Sequence, residues 1–518
     1  MSVVDQKRIA KNTLLLYLRM GVIMLIGFYT SRVVLATLGE VDFGLYNVIG
    51  GIVVAFAFLN GVMSAACNRY FAIEIGREDY DALKKVFSLN VSIFLVLGGI
   101  ILLLSETVGL WFLNAKMVIP PDRHDAANWV YQFSVLAFLV NMMSTPYRAI
   151  IVAKEKMKVF AYSSIVEAVL RLLIVFLLPI CPYDQLIFYG ILMFSISLAV
   201  SGFYFVYCTR FYPECRYSYY WDKPLFKEIV GYTGWQVIGG MAGIGRSQGL
   251  NIILNMFFGP VVNAARGVAY QVYVNIYQFV NNFAMAYNPQ IFKSYATNEH
   301  QAMQNLVFRS SKFSYYLLFL FVLPVFIEAP AILDIWLKDV PTHAVLFCRL
   351  MLIIGLIDCI GIPLGTAVSA TGKIMWYQIT IGGVQLLAVV AAYVMFKFGT
   401  FPPETVFFLS IASSVISLFL RVFFIFKQLQ MSVIKYLKNV LLPIIFVTIL
   451  SGIVPCLIAL YAPSSLLWSC VSILSGFGFV ILLVYTLGIT PNERIHLNNL
   501  IRQKLTGIHN PPDIPSND

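Results

Sequence analysis

Apolar segments of about twenty residues or more recur along the whole chain and alternate with short polar stretches. A helix needs roughly 20 residues to cross the hydrocarbon core of a bilayer, so each segment predicts a membrane-spanning helix. We predict fourteen such spans, at approximately residues 12–37, 45–66, 88–113, 127–151, 159–180, 185–209, 228–258, 261–289, 313–337, 344–370, 374–398, 404–427, 438–461 and 464–488. The predicted fold class is an all-α, multi-pass membrane protein.

The composition supports this class and excludes others. Of the 518 residues, 59% are hydrophobic and 12% are charged, with a mean hydropathy of +0.81. An ordinary soluble enzyme carries about a quarter charged residues. The net charge of +11 does not predict nucleic-acid binding, because the cations lie in short loops between apolar spans. The eight cysteines form no C-x-x-C pair, and we expect neither a metal site nor a cofactor.

Lysine and arginine residues are concentrated in alternate loops, beginning with the N-terminal tail. Representative cations of these loops are Arg8, Arg69, Lys154, Lys156, Lys223, Lys293, Lys373 and Lys435. The other loops carry only Lys116, Arg123, Lys338 and Lys397. Because cytoplasmic loops carry the excess of Lys and Arg, both termini are predicted to be cytoplasmic. The N-terminus lacks a signal-peptide core, so the first span is expected to remain as an anchor.

The chain contains an internal repeat. The spacing P-x6-A-x2-K occurs in STPYRAIIVAKEKM at 144–157 and again in GIPLGTAVSATGKI at 361–374. In addition, Leu38-Gly39 and Phe258-Gly259 each end a first span. Matches in the same order predict two copies of one six-helix unit.

The repeat predicts the domain organisation. Two six-helix lobes, 1–209 and 228–427, are joined by a basic cytoplasmic linker at 210–227. Two further spans follow in 428–490, and a polar cytoplasmic tail occupies 491–518. Both lobes begin on the same side of the membrane, so their pseudo-twofold axis is expected to lie along the membrane normal.

Residues 228–290 combine two apolar spans with many polar side chains. An Arg facing lipid at mid-membrane costs at least about 2.5–3.5 kcal/mol, so these groups must face other helices or a solvated cavity. Arg19 and Arg246 lie deep in the first span of each lobe, and we hypothesise that they share one cavity. A guanidinium can donate paired hydrogen bonds to pyrophosphate. Arg266, Arg349 and Arg421 lie near span ends, where snorkelling to the interface is the simpler explanation.

Amide side chains complete the candidate cavity. Gln248, Asn251 and Asn255 follow i, i+3, i+7 spacing and therefore share one face of a helix. Sugar hydroxyls would use such amides, but hydrogen bonds between helices are an equally open explanation. The predicted substrate-binding residues are Arg19, Arg246, Gln248, Asn251, Asn255, Arg266 and Asn275.

Carboxylates within the spans are candidates for ion coupling. Glu167 and Arg171 lie four residues apart on one helical face, so an intrahelical ion pair is the alternative interpretation. Asp358 is a second candidate, and its separation from Arg349 makes a direct pair between these two doubtful.

Four segments are similar to one family. They are LGEVDFGLYNV, RYFAIEIG, PYRAIIVAKEKM and QGLNIILNMFFGPVVNAARGVAYQV. With the two-lobed plan, they resemble the multidrug/oligosaccharidyl-lipid/polysaccharide exporter superfamily, in particular its polysaccharide-biosynthesis branch. The resemblance implies transfer of undecaprenyl-pyrophosphate-linked oligosaccharide, an O-antigen or capsular unit, to the periplasmic leaflet of the bacterial inner membrane by alternating access. It also implies a lipid-linked glycan as partner, beside membrane lipid, a coupling proton or sodium ion, and polysaccharide polymerase or assembly machinery.

Three alternatives remain open at this point. A cation-coupled multidrug or toxin extruder would favour an acidic cavity, whereas the predicted cavity is basic. A flippase for a lipid-linked peptidoglycan precursor would need the same charge as the leading hypothesis. A membrane glycosyl or acyl transferase would need clustered Asp or His at a membrane face, and we do not expect an enzyme. The ATGKI segment at 370–374 lacks the remaining residues of a phosphate-binding loop, so transport is expected to be driven by gradients.

Overall fold

The structure, a computed structural model, describes residues 3–117, 119–180, 184–337, 339–461, 465–491, 493–495 and 498. Within these residues there are sixteen α-helices and no β-strand. The helices are α1 Val3–Gly76, α2 Tyr80–Leu104, α3 Leu110–Lys116, α4 His124–Met143, α5 Thr145–Ala153, α6 Met157–Leu177, α7 Gln185–Phe211, α8 Lys223–Ala296, α9 His300–Ile327, α10 Ala329–Leu337, α11 Ala344–Ala370, α12 Met375–Phe398, α13 Thr405–Leu429, α14 Val433–Tyr436, α15 Leu442–Tyr461 and α16 Leu466–Leu483. Most of the polar tail predicted at 491–518 lies outside the described residues.

Ten helices in the described part of the chain are long and apolar enough to cross a membrane. The predicted fold class, an all-α multi-pass membrane protein, is therefore confirmed. One of the ten is α8, which has 74 residues and contains a break at Gly259. The count of fourteen spans stays a prediction.

Glycines at positive φ divide the two longest helices. Gly39 in α1 has φ 76°, and Gly259 in α8 has φ 77°. The break at Gly259 is where the sequence predicts the turn between two spans. A residue with a Cβ pays about 1–2 kcal/mol in this left-handed region, which explains glycine at both places.

Two further pairs of turns have matching backbone conformations. Glu78 follows α1 with φ 59°, and Asn298 follows α8 with φ 57°. Glu155 follows α5 with φ 57°, and Gly372 follows α11 with φ 75°. Glu155 and Gly372 occupy the same position in the two copies of the P-x6-A-x2-K repeat, so the copies share a positive φ there as well as their residue spacing.

The segment after the second predicted span is helical, which corrects one expectation. Arg69 was assigned to a cytoplasmic loop, but α1 continues to Gly76. Tyr70 and Phe71 are buried in the core, and Arg69 itself is only 5% exposed. The charges suggested a loop, whereas the apolar residues between them bury one face of a helix.

The helices pack in two groups. In the N-half, defined as α1–α7, α1 packs against α4, α5 and α6; in the C-half, defined as α8–α13, α8 packs against α9, α11 and α12. The two groups meet where α1 contacts α8. Close approach depends on glycine: a Cβ at Gly240 would lie 2.5 Å from the Phe58 ring, and one at Gly249 would lie 2.8 Å from Val389.

Helices α15 and α16 pack against α9, outside both halves. Beyond α16, the Glu493 carboxylate lies 2.9 Å from Lys312 Nζ and 3.1 Å from Arg309 Nε. The Thr490 backbone N–H also donates to Glu493, at 2.8 Å. Burial alone would raise the pKa of Glu493, but these cations and this N–H outweigh it and hold the pKa below its usual range.

We predict that Gly259→Ala lowers the free energy of unfolding by about 1–2 kcal/mol, because alanine is strained at this φ. Thermal unfolding of the purified protein in detergent measures the loss. The matched control is Gly267→Ala in the same helix, where a Cβ meets nothing within 4 Å. That change should leave the stability unchanged or slightly higher, since alanine is the better helix former. Equal losses in both variants would contradict the role given to Gly259.

We also predict that Glu493→Gln destabilises the protein by about 1–3 kcal/mol at neutral pH, because Lys312 and Arg309 lose their carboxylate. Since the folded state lowers the pKa of Glu493, its contribution is present above the ordinary glutamate pKa. The contribution disappears as the pH falls through the lowered pKa. Melting temperatures of the two proteins should therefore converge below about pH 4. A constant difference across this range would contradict the prediction.

Candidate functional site: a cavity between the two halves

A cavity of about 560 Å³ lies between the N-half and the C-half. The N-half contributes residues of α1, including Ser64 and Asn68. The C-half contributes residues of α8, α11, α12 and α13, including Tyr232 and Ser369. Because its walls belong to both halves, any relative movement of the halves would change the shape of this cavity.

Amide side chains dominate the polar surface of the cavity. They are Asn68, Gln236, Asn281, Asn288, Gln378 and Gln385. Gln378 donates to Gln236 at 2.9 Å, and Gln236 donates to the Tyr232 hydroxyl at 2.9 Å. The buried Asn68 Oδ1 finds no hydrogen-bond partner among the described residues. An amide can donate and accept at once, so this surface can match the hydroxyl groups of a sugar.

Arg421 supplies the one formal charge among the described residues that line the cavity. Its Nε is buried and has no hydrogen-bond partner in the described part of the chain. Helix α11 leaves space for this side chain, since a Cβ at Gly361 would lie 2.6 Å from Arg421 Nη1. The sequence interpretation of Arg421 as a snorkelling residue at a span end is therefore wrong. The side chain lies between helices because glycine opens a slot for it.

A second, smaller cavity of about 230 Å³ lies within the C-half and is lined by Arg246 and Arg266. Arg246 Nη2 lies 3.1 Å from the Asp358 carboxylate, and its Nη1 donates to Ser414 Oγ at 3.2 Å. Arg266 is buried and donates to Asn251 Oδ1 at 2.9 Å. Both cations border this smaller cavity, and protein groups already accept several of their hydrogen bonds, so their role in substrate binding stays a prediction.

Arg19 and Arg246 have different immediate partners, and the hypothesis that they share one cavity stays a prediction. Arg19 lies over the Phe160 ring of α6, 4.8 Å from its centroid, within the N-half. Arg246 pairs with Asp358 inside the C-half. Helix α1 turns Arg19 toward α6, while other residues of α1 face α8. For example, Tyr17 donates to the Phe279 carbonyl of α8 at 3.1 Å.

The remaining candidates lie elsewhere. Gln248, Asn255 and Asn275 are exposed side chains of α8, and Asn275 donates to a carbonyl one turn before it at 2.9 Å. Glu167 and Arg171 form the intrahelical pair at 2.7 Å that the sequence offered as the alternative. The substrate or coupling roles of these residues stay predictions.

Asp358 pairs with Arg246 and not with its sequence neighbour Arg349. Arg349 instead donates to the Phe326 carbonyl at 2.8 Å. The doubt about a pair between Asp358 and Arg349 is therefore justified. The partner that Asp358 does have comes from α8, which sequence spacing cannot reveal.

The turns after α1, α5, α8 and α11 meet at one end of the bundle, which we call the basic end. It comprises residues 77–79, 154–156, 297–299 and 371–374. Arg69 of α1 donates to two carbonyls of α11, from Nε to Ser369 at 2.7 Å and from Nη2 to Ala370 at 3.2 Å. In a second contact the cation belongs to the C-half instead. Lys293 Nζ of α8 lies 2.5 Å from the carboxylate of Glu155, which follows α5. Both contacts cross from one half to the other.

Glu155 has further partners. Arg8 Nε lies 3.0 Å from its carboxylate, and Gln290 Nε2 donates to it at 3.2 Å. Beside these contacts, a Cβ at Gly76 would lie 3.0 Å from the Lys293 Cα. The halves are therefore in backbone contact at the basic end. A Cβ at Gly39 or Gly259, by contrast, would meet nothing within 4 Å among the described residues.

The arrangement defines a class: a helical membrane protein whose two halves enclose a polar cavity. Solved structures share its fold. A MATE transporter in an outward-facing conformation, described as a multidrug resistance transporter of the MOP superfamily, gives a TM-score of 0.71 at 11% identity, covering 83% of this chain and 97% of that chain. A MATE protein in complex with MaD3S gives 0.68 at 13% identity, with the same coverage.

A third solved structure is a MOP superfamily transporter from Pyrococcus furiosus, for which reverse polarity of the binding pocket suggests a different function. It gives a TM-score of 0.68 at 12% identity, covering 83% of this chain and 97% of that chain. No curated protein matches the sequence of this chain. At such low identity, the solved structures establish the fold alone.

The family follows from the sequence itself. The sequence model of the family described as "Polysaccharide biosynthesis protein" matches residues 9–295. The chain belongs to this polysaccharide biosynthesis family, and its fold is that of the MOP superfamily transporters. The predicted family is thus confirmed.

We predict that Asp358→Asn destabilises the protein by about 2–4 kcal/mol, because Arg246 would keep a partly buried charge without its counter-ion. Replacing both partners, as Arg246→Met with Asp358→Leu, should recover most of that loss. Thermal unfolding of the parent, the single variants Arg246→Met and Asp358→Leu, and this double variant gives the coupling energy between the two residues. Purely additive effects would show that the pair at 3.1 Å contributes no net interaction.

Proposed function

We propose that this protein is a flippase that moves an undecaprenyl-pyrophosphate-linked oligosaccharide from the cytoplasmic to the periplasmic leaflet by alternating access of its two halves. The observation that carries the proposal is the lining of the cavity between the halves. Six amides and one cation, Arg421, face it, and no acidic residue does so among the described residues. The family supports the same conclusion, since its members are described as polysaccharide biosynthesis proteins.

The chemistry of such a cargo fits this lining. A diphosphate needs a cation with several donors, and the buried Arg421 Nε has no partner in the described structure. Sugar hydroxyls need groups that donate and accept, which the amides supply. The prenyl chain needs no polar partner and would remain in the lipid.

The basic end is proposed to face the cytoplasm, as the loop charges predict. With that orientation, an inside-negative potential favours outward transfer of the anionic head group. Moving two negative charges across 100 mV contributes about 4.6 kcal/mol, at roughly 2.3 kcal/mol per charge. A coupling proton or sodium ion remains an additional candidate, with Glu167, Arg171 and Asp358 as the residues to test. Polysaccharide polymerase or assembly machinery is the proposed partner that would receive the product.

A cation-coupled multidrug extruder is the second candidate, because one solved neighbour is described as a multidrug resistance transporter. The polarity of the cavity disfavours it, since a cationic drug would require acidic residues in place of Arg421. The Pyrococcus furiosus transporter supports the argument that pocket polarity distinguishes functions on this fold, because the reverse polarity of its binding pocket is described as suggesting a different function.

We predict that the purified protein in proteoliposomes transfers a fluorescent undecaprenyl-pyrophosphate glycan between leaflets, faster with an imposed potential. Arg421→Gln should slow transfer by about tenfold or more, because the diphosphate loses a charge-assisted hydrogen bond. Dithionite quenching of the label in the outer leaflet measures the rate. The control is Lys397→Gln, which makes the same charge change at an exposed position of α12.

Two results would contradict the proposal. One is transfer no faster than in empty vesicles, with the host's own glycan as cargo and intact folding. The other is an equal rate in Arg421→Gln and in the parent protein. Efflux of cationic dyes in the absence of glycan transfer would favour the extruder.

A further inference from the structure

We propose that Arg69 binds the diphosphate of the incoming cargo at the basic end. In this structure the two halves are in contact at that end, which we call the closed state, and the Arg69 N–H groups donate to carbonyls of α11 instead. The inference rests on the proposed function for the identity of the cargo. The site itself is argued from the contacts of Arg69.

Arg69 is an incompletely satisfied cation in an almost dry position. It is 5% exposed, and its Nη1 finds no hydrogen-bond partner among the described residues. The rings of Tyr70 and Tyr232 each lie 4.6 Å from the guanidinium carbon. The two ring centroids are 5.8 Å apart, so the rings flank the guanidinium on adjacent sides, and its remaining N–H groups can meet acceptors such as phosphate oxygens.

The present acceptors of that edge resemble an anion. Ser369 and Ala370 are the last two residues of α11, where helix carbonyls carry partial negative charge. The Ser369 carbonyl also accepts from the Gly372 backbone N–H at 3.2 Å. Arg69 can reach these carbonyls because residue 372 is a glycine, since a Cβ there would lie 2.6 Å from Arg69 Nη2. The C-half thus presents Arg69 with a pair of oxygens in the closed state.

Opening the basic end must separate these groups, because Arg69 belongs to the N-half and both carbonyls belong to the C-half. The guanidinium then loses two hydrogen bonds in a poorly hydrated place, which is unfavourable unless another anion replaces them. A diphosphate does so with full negative charge. Cargo and carbonyls therefore compete for one guanidinium, and cargo shifts the population toward the state open at the basic end.

Arg69 is also placed to pass the cargo inward. Tyr232, which stacks on Arg69, lines the 560 Å³ cavity, and so does Ser369, whose carbonyl accepts from it. Asn68, the preceding residue, lines the same cavity with an unpartnered Oδ1. The site therefore lies at the floor of the cavity in which Arg421 is located.

The second contact across the halves provides a matched control. Glu155→Gln weakens the bond to Lys293 at the same end of the bundle but leaves Arg69 intact. If opening exposes the Arg69 site, this variant should bind a diphosphate more tightly, because the competent state becomes more populated. Glu299→Gln makes the same charge change at an exposed residue of the basic end, so it corrects for net charge.

The test is titration of the full-length protein in detergent with inorganic pyrophosphate, followed by calorimetry. We expect Arg69→Gln to weaken binding by about tenfold or more, as for loss of charge-assisted hydrogen bonds. Arg69→Lys should retain only part of the parent protein's affinity for pyrophosphate, because an ammonium cannot donate two parallel hydrogen bonds as a planar guanidinium does. Glu155→Gln should tighten binding severalfold relative to Glu299→Gln. Unchanged affinity in Arg69→Gln overturns the site, and unchanged or weaker affinity in Glu155→Gln overturns its sequestration.

A disulfide reporter gives an independent readout. A Cβ at Gly76 would lie 3.2 Å from the Ala296 Cβ, so Gly76→Cys with Ala296→Cys should cross-link in the closed state. Cys181, Cys456 and Cys470 are replaced by Ser beforehand. Pyrophosphate should slow cross-linking at least about fivefold, and Arg69→Gln should abolish that response. An equal response in both proteins would overturn the inference.

The two proposals fail separately. If pyrophosphate binding depends on Arg69 but proteoliposomes show no glycan transfer, the anion site is supported and the proposed cargo is rejected. If glycan transfer occurs but the response to pyrophosphate is the same in Arg69→Gln, the flippase function is supported and the Arg69 site is rejected.

Discussion

A cation inside a membrane bundle must be neutralised or hydrogen-bonded by the protein, because hydrocarbon supplies no partner. The deep arginines of this chain meet that constraint in different ways. Arg246 has a carboxylate, and Arg266 has an amide and a backbone carbonyl. Arg69 has two carbonyls at a helix end, while Arg421 keeps a buried nitrogen without a partner in the described structure. The extent to which each charge is already satisfied separates structural cations from those free to meet a ligand.

The basic end shows how one repeated geometry can hold two chemistries. Glu155 and Gly372 follow equivalent helices at positive φ, and each turn receives a cation from the other half. In one copy the turn supplies a carboxylate to Lys293. In the other it supplies only space, so that Arg69 reaches the carbonyls of α11. A carboxylate is a stronger partner for a cation than a neutral carbonyl. The carbonyls are therefore the easier of the two to displace by an anion, and this asymmetry is the basis of the proposed cargo site.

The fold alone does not decide what is transported. Solved transporters with similar folds are 11–13% identical to this chain, and a reversed pocket polarity accompanies a suggested change of function in one of them. The discriminating features here are local. Glycines at 361 and 372 open space for Arg421 and Arg69, and amides surround the cavity between the halves. A few small residues on α11 and after it thus set the charge of the proposed pathway.

The sequence by itself determined the fold class, the family and the turn at Gly259, because apolar run length and glycine conformation are local properties of the chain. Its choice of site was weaker. It singled out Arg246 and Arg266, which border the smaller cavity, but their role in substrate binding stays a prediction. It treated Arg421 as an interfacial residue and Arg69 as part of a loop. Those two errors share one cause: whether a cation is paired, exposed or held in a glycine slot depends on helices far away in sequence. Only tertiary packing brings Asp358 to Arg246, or Ser369 to Arg69, because these partners lie more than a hundred residues apart along the chain.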